Sequence, residues 1–282
     1  MTLELVEDML ASCQRGDLQR LQFLLSVDST LVISSNMDGM TCLHVTCLAG
    51  NEMLTDYLLE KGANVHARTV DGSTPLCEAA AGGWPNLILK LVKRGASINP
   101  PCQLVSPLHE AAVAGRTECC RLLISLGANL NKSDCWYGTP LHAAVHRGHV
   151  RTAKALLDAG ANVNAKKIHA TPLHYACERG NLAMIVLLLM YGADVYCLNN
   201  NERRPSGLLP NDHPARGLLI RFEKQPRSLA FLCRRTALES NRARQDEGKL
   251  EAYLNGVNYP SLLVQFLMHA DTEELIDRLM NA

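Results

Sequence analysis

The sequence predicts an all-α solenoid of stacked helical hairpins, about six units and a truncated closing one, followed by a small helical C-terminal module. Three observations carry that expectation. A tetrapeptide recurs as TCLH from Thr41, TPLC from Thr74, SPLH from Ser106, TPLH from Thr139 and TPLH from Thr171, at intervals of 33, 32, 33 and 32 residues. A glycine follows each start after nine residues, at Gly50, Gly83, Gly115, Gly148 and Gly180. A Gly-Ala pair follows after twenty-one, from Gly62, Gly95, Gly127, Gly160 and Gly192. Markers held at fixed offsets over five units specify one supersecondary element repeated along the chain.

Each part of the unit has a local reason. Thr or Ser at the start caps a helix, and proline in the first turn loses no hydrogen bond because that N–H has no intrahelical partner. Leucine and the small pairs Ala79-Ala80, Ala111-Ala112 and Ala144-Val145 make a slim inner helix that neighbours can approach closely. The mid-repeat glycine makes the turn, and a bulkier outer helix follows, as in RLLISLGAN and KALLDAGAN. The glycine of Gly-Ala then supplies a left-handed stop. No unit buries its apolar side alone, so the units stack. This period and the T-P-L-H signature resemble the ankyrin repeat family.

Two weaker units flank the five. At the front, Cys13–Gly16 and DLQRLQFLLS continue the register, placing a start near Glu7. At the back, RRPSGLLP puts Arg204 and Pro205 where the next start is due but lacks the Leu-His pair, as a truncated closing repeat would. The repeat array is expected over residues 1–222.

Composition narrows the function. Twenty-eight basic residues balance 28 acidic ones, and the pairs at 166–167, 203–204 and 234–235 are too short for a basic patch. No nucleic-acid partner is expected. The start MTLELVEDMLASCQ carries three acidic residues and no basic n-region, and the longest apolar run, Leu182–Tyr191, is too short to span a bilayer. No membrane partner is expected, and the predicted location is cytoplasmic, with the nucleus also open. Eleven cysteines without a C-x-x-C pair predict reduced thiols and no structural metal. The sequence has no glycine-rich phosphate loop, G-x-S-x-G or H-E-x-x-H, so no cofactor and no catalytic residue is expected.

His44, His109, His142 and His174 share the fourth slot of the tetrapeptide, with Cys77 in the same slot. One histidine per repeat, about 10 Å from the next, predicts a local hydrogen bond rather than a metal site. Cys47 and Cys177 are expected as small buried fillers, and Cys119-Cys120 as packing residues.

The recognition slots are the hairpin before each tetrapeptide and the residues before the mid-repeat glycine. In order they hold Met37, Met40 and Leu48; Val70, Ser73 and Ala81; Gln103, Val105 and Val113; Trp136, His146 and Arg147; Lys167, Ile168, Glu178 and Arg179. The front four units are apolar there and the fifth is charged, which points to a protein partner. Met40, Val70, Val105, Val113, Trp136, Arg147, Ile168 and Arg179 are the expected substrate-binding residues. Trp136 is the expected anchor; the alternative is that Trp136 and Tyr137 fold back onto the adjacent hairpin. Trp84-Pro85 is placed at the opposite edge, where proline starts the outer helix.

Beyond the array, Leu229, Leu232, Cys233 and Ala237 fall on one side of a 3.6-residue helix that opens at Pro226 and Ser228. A helix that only caps the array would want the same start. Val257-Asn258-Tyr259-Pro260, Leu263 and Phe266-Leu267 follow. The first set resembles the BC box (228–237) and the second the cullin box (257–267) of a SOCS box over 223–270, with Asn258 where many members carry proline. Residues 271–282 read as a short amphipathic tail helix.

An ankyrin array followed by a SOCS box resembles the ankyrin repeat and SOCS box family over nearly the whole chain. The resemblance implies a substrate receptor of a cullin-5 RING ubiquitin ligase that is not itself an enzyme. Leu229, Leu232, Cys233 and Ala237 would bind Elongin C, which comes with Elongin B. Val257, Tyr259, Pro260, Leu263, Phe266 and Leu267 would bind cullin-5 with its RING subunit, and the repeats would hold a protein substrate. The alternative is an ankyrin scaffold whose tail caps the array or binds Elongins without a cullin.

Overall fold

The computed structural model describes residues 2–101 and 106–224; Val105 and the segments 228–237, 257–267 and 271–282 lie outside the described residues. Among the described residues every regular element is helical, and β pairing is confined to two isolated bridges, Ser35–Thr41 and Lys167–Ala170. The described residues divide into two compact units, the second of which begins at Asn162.

The first unit is a stack of five helical hairpins. They are α1 (Thr2–Arg15) with α2 (Leu18–Val27), α3 (Cys42–Ala49) with α4 (Glu52–Glu60), and α5 (Pro75–Gly82) with α6 (Pro85–Lys93). Then come α7 (Pro107–Val113) with α8 (Thr117–Ser125), and α9 (Pro140–Arg147) with α10 (Val150–Asp158). The front hairpin opens at Thr2, upstream of the expected start near Glu7. No Thr-Pro signal stops it there, and the good helix formers of Leu3–Glu7 carry the helix back. The second unit holds α11 (Pro172–Glu178) with α12 (Leu182–Met190), a 3-10 turn at Pro205–Leu208 and α13 (Pro214–Lys224). The turn stands where an inner helix would, as expected of a truncated repeat.

In the first unit the inner helices pack in order, α3 on α5, α5 on α7 and α7 on α9. Ala79, Ala80, Ala111, Ala112, Ala143 and Ala144 are fully buried between them, so the helices meet almost backbone to backbone. Thr41, Thr74, Ser106, Thr139 and Thr171 each stand at a helix N-cap in extended conformation.

The fourth-slot histidines complete these caps and reach further. The Thr41 N–H donates to His44 Nδ1 at 3.2 Å, which leaves Nε2 as the protonated nitrogen. Nε2–H then donates to the carbonyl of Ser73 at 3.2 Å, in the next hairpin. His109 Nε2 reaches the Gly138 carbonyl at 2.8 Å and His174 Nε2 reaches that of Arg203 at 3.3 Å, each 29 residues on. The local bond expected from the sequence is therefore half of a strut between repeats. Burial pushes His44, His109 and His174 below the ordinary imidazole range, which keeps them neutral.

Cys47, Cys119, Cys120 and Cys177 are buried, as expected of fillers. Burial pushes the thiols of Cys47, Cys77, Cys120 and Cys177 up to about 12, so they are poor nucleophiles.

Candidate functional site

The surface that could recognise a partner is built on the inner helices of the first unit. Val45, Glu78, Glu110 and Ala143 each sit four residues after a helix cap. Leu48, Ala81, Val113 and His146 follow three residues later, one turn along the same face. The hairpins add Met40, Ser73 and Tyr137 to the successive rows. Val45 and Ala143 are buried, so the accessible face runs from Met40 and Leu48 through two rows with a carboxylate each to Tyr137 and His146.

Ser73 Oγ–H donates to Glu78 Oε1 at 2.7 Å, and burial raises the Glu78 carboxyl above its ordinary value. Glu110 is pushed up to about 7, first by burial and then by the negative charges of Glu78 and Asp134; Arg147 acts in the opposite sense. Asp134 itself is committed to the hairpin, its Oδ1 accepting the N–H groups of Tyr137 at 2.6 Å and Gly138 at 2.8 Å.

Trp136 and Tyr137 behave differently. Tyr137 folds back: its ring lies 5.6 Å from that of His146, and its hydroxyl accepts from Arg147 Nη2 at 2.9 Å. Trp136 stays out, 64% exposed at the hairpin tip. Val70 is 71% exposed, Leu48 is exposed, and Met40 and Val113 are half-buried. In the second unit, Ile168 is exposed at the tip of a two-residue turn and Arg179 is exposed at the end of α11. Of the sequence-derived groove residues in the first unit, Met40 and Val113 are half-buried beside the inner helices that carry Glu78 and Glu110, and Val70, Trp136 and Arg147 are exposed. Val105 and the residues assigned to Elongin C and to the cullin lie outside the described residues.

Two features escaped the sequence reading. One is the acidic pair, whose signal was a charge at the fourth position of an otherwise largely apolar inner helix. The other is a seam of side chains following the mid-repeat glycine. Trp84 Nε1–H donates to the Leu48 carbonyl at 3.0 Å, Arg116 Nε–H to that of Ala81 at 3.1 Å, and His149 Nε2 reaches that of Val113 at 3.0 Å. Carbonyls in the last turn of a helix have no intrahelical partner, and here the next repeat supplies one. Trp84, placed by sequence at a helix-turn edge, is thus a bridge between repeats; Pro85 starts α6 as expected. A side chain with an N–H after each glycine was the readable signal.

Among the described residues no three or more His, Cys, Asp or Glu side chains are grouped to hold a metal ion. No helix among them is long and apolar enough to cross a membrane.

The family description "Ankyrin repeats (3 copies)" matches residues 9–102, 55–134 and 108–199. A crystal structure of the human ASB11 ankyrin repeat domain is similar, with a TM-score of 0.71 and 30% identity over 78% of this chain and 99% of that one. The E3 ubiquitin-protein ligase KEG of Arabidopsis thaliana is 34% identical over 109 residues, 37% of this chain and 7% of that protein. The human ankyrin repeat and KH domain-containing protein 1 is 36% identical over 94 residues, 32% of this chain and 4% of that protein. The chain thus spans less than a tenth of either of these curated relatives.

Proposed function

The chain belongs to the ankyrin repeat family and its described part is a protein-interaction domain; from that premise we propose that it is the substrate-recognition subunit of a cullin-5 RING ubiquitin ligase. The inner face of the repeats holds a protein target. The segment 223–270 docks Elongin C and Elongin B through Leu229, Leu232, Cys233 and Ala237, and docks cullin-5 with its RING subunit through Val257, Tyr259, Pro260, Leu263, Phe266 and Leu267. The chain contributes position, not chemistry: it brings a target lysine to ubiquitin carried by other subunits.

The observation that carries this reading is the order of the two boxes in the sequence, directly after α13, which ends at Lys224. A repeat domain with exposed Val70 and Trp136 on one unit's face gives the target a place to bind. Two names support it more loosely, the ASB11 domain for the repeats and KEG for ubiquitin transfer.

Leu229→Ala tests it. Burying a leucine contributes about 1.5–3 kcal/mol, so its loss is expected to weaken Elongin B–C binding about ten- to a hundredfold in a direct titration, with the repeat-domain melt unchanged. Full-length chain that ignores Elongin B–C and cullin-5 would leave a repeat scaffold with a capping tail.

A further inference from the structure

Two hairpins of the second unit form a basic edge with an exposed apolar tip. They run Lys166-Lys167-Ile168-His169-Ala170 and Asn199-Asn200-Asn201-Glu202-Arg203, the second followed by the cap Arg204. The two are neighbours: the Thr171 N–H donates to His174 Nδ1 at 3.1 Å, and His174 Nε2–H donates to the Arg203 carbonyl at 3.3 Å. Ile168 is β-branched at φ 47 and yet 71% exposed, so stability does not account for its strain. Glu202 is the one acidic residue on the two hairpins. Lys167 and Arg203 have no side-chain hydrogen bond or ion pair among the described residues.

The chain itself carries a segment of opposite character, which neither the repeats nor the two boxes account for. Residues 271–282, DTEELIDRLMNA, set Asp271, Glu273, Glu274 and Asp277 against a single Arg278, with Leu275, Ile276 and Leu279 on one side at helical spacing. The last described helix stops close to the basic edge. Glu223 Oε2 lies 3.4 Å from Arg204 Nη1, and the Glu223 carbonyl accepts from the Tyr196 hydroxyl at 2.9 Å, one residue before α13 ends at Lys224. As a flexible chain, residues 225–270 would reach about 35–40 Å, several times the roughly 10 Å between packed helical layers.

We propose that residues 271–282 dock on this edge of their own chain. Leu275, Ile276 and Leu279 set against Ile168, and the carboxylates against Lys167 and Arg203. The charges fix the register and the apolar contact supplies most of the affinity. A tethered tail stands at an effective concentration of about 1 mM, so a contact with a Kd of about 0.1 mM is about nine-tenths formed. Ile168 is also assigned to the target. Resting on that reading, the tail is a competitor that a target has to displace; the docking itself does not depend on it.

The test uses the full chain and a dye-labelled synthetic peptide of residues 271–282. A tail variant, Glu273→Lys with Glu274→Lys and Asp277→Lys, empties the edge. It is expected to bind the peptide about tenfold more tightly than wild type, whose own tail competes. Adding Ile168→Asn to it weakens the peptide about tenfold. Adding Lys167→Glu weakens it about threefold, an effect that fades in 0.5 M salt. Hydrogen exchange of amides 166–170 and 199–204 is expected to be slower in wild type than in the tail variant at every chain concentration. Equal exchange and equal peptide binding in the two chains overturn the docking, as does a peptide indifferent to Ile168→Asn. Protection that grows with chain concentration assigns the edge to the tail of a second copy and overturns the contact within one chain. Titration with Elongin B–C is read separately. A chain that docks its tail but ignores the Elongins keeps this inference and loses the ligase reading, and a chain that binds them with its tail undocked does the reverse.

Discussion

The two compact units solve the same turns with different residues. In the second and third hairpins of the first unit, the position two before the helix cap is Gly39 (φ 75) and Gly72 (φ 78); in the second unit, the same position is His169 (φ 67) and Glu202 (φ 54). The outer helices differ as well. α6 alternates buried Leu87, Ile88 and Leu91 with exposed or half-exposed residues, whereas α12 is buried at every residue from Ala183 to Met190. On the inner face the first unit carries the Glu78–Glu110 pair, and the second carries half-buried Tyr175 with exposed Glu178 and Arg179. What both units keep is the bonding: capped helix starts, the histidine strut, and a side chain just before an outer helix that bonds a carbonyl of the preceding repeat, Trp84 to Leu48 in the first unit and His213 to Gly180 in the second. Fold resides in the shared slots, and recognition in those that differ.

The seam is where that comparison breaks most visibly. At Gly50 a Cβ would be driven into the indole of Trp84, whereas at Gly180 the nearest atom, His213 Nε2, is 3.4 Å from it. Both residues are left-handed, φ 76 and φ 62, so alanine pays the same backbone penalty in each. Gly180→Ala is expected to cost about 1 kcal/mol. Gly50→Ala adds the displacement of a packed tryptophan and the loss of its bond to Leu48, about 3 kcal/mol in all. Denaturant midpoints of the two variants check this, and equal costs would show that Trp84 yields freely.

Glu110 supplies the next effect. A carboxyl whose folded-state value is raised favours the folded state while it is protonated. That contribution is whole below about 4.5, the ordinary value, and is lost as the pH rises through about 7. Glu110→Gln removes the charge and keeps the shape. The variant is therefore expected to be about 1–2 kcal/mol more stable than wild type at pH 8, allowing for partial exposure, with the gap closing below pH 4.5. Melting curves across that range measure it. A wild type as stable as the variant at pH 8 would mean that Glu110 is already compensated.

The periodic part of the fold was legible because each marker has a local cause. Thr before Pro caps, glycine turns, and alanine lets helices close up, all readable from one repeat. The fourth-slot histidine was legible only in part: its bond to the Thr41 N–H is local, but its bond to Ser73 depends on the next repeat's position. Trp84 was placed correctly at the turn into the outer helix, but its bond could not be read, since its partner carbonyl is 36 residues away. Trp136 stayed ambiguous in sequence because folding back and standing out satisfy the same pattern; Tyr137, with a hydroxyl for Arg147 to donate to, is the one that folds back. The acidic pair was invisible to a search for apolar recognition slots. Two glutamates 32 residues apart acquire a joint meaning only when α5 lies on α7.

The smallest expected effect lies in the second unit. Ile168 and His169 form a two-residue turn between Lys167 and Ala170, with φ 47 and 67. That turn wants Asn-Gly, and a β-branched side chain at φ 47 is a true outlier. Ile168 is 71% exposed, so burial returns little for the strain. Ile168→Asn is expected to stabilise the chain by about 1 kcal/mol, read as a rise in the denaturant midpoint. The same variant sharpens the contrast between units when tested for target binding. Unchanged affinity would confine recognition to the first unit, where glycine at the hairpin tips leaves the side chains beside it free to be chosen. A loss of affinity with a gain in stability would mean that the second unit carries its strain for the sake of an apolar contact.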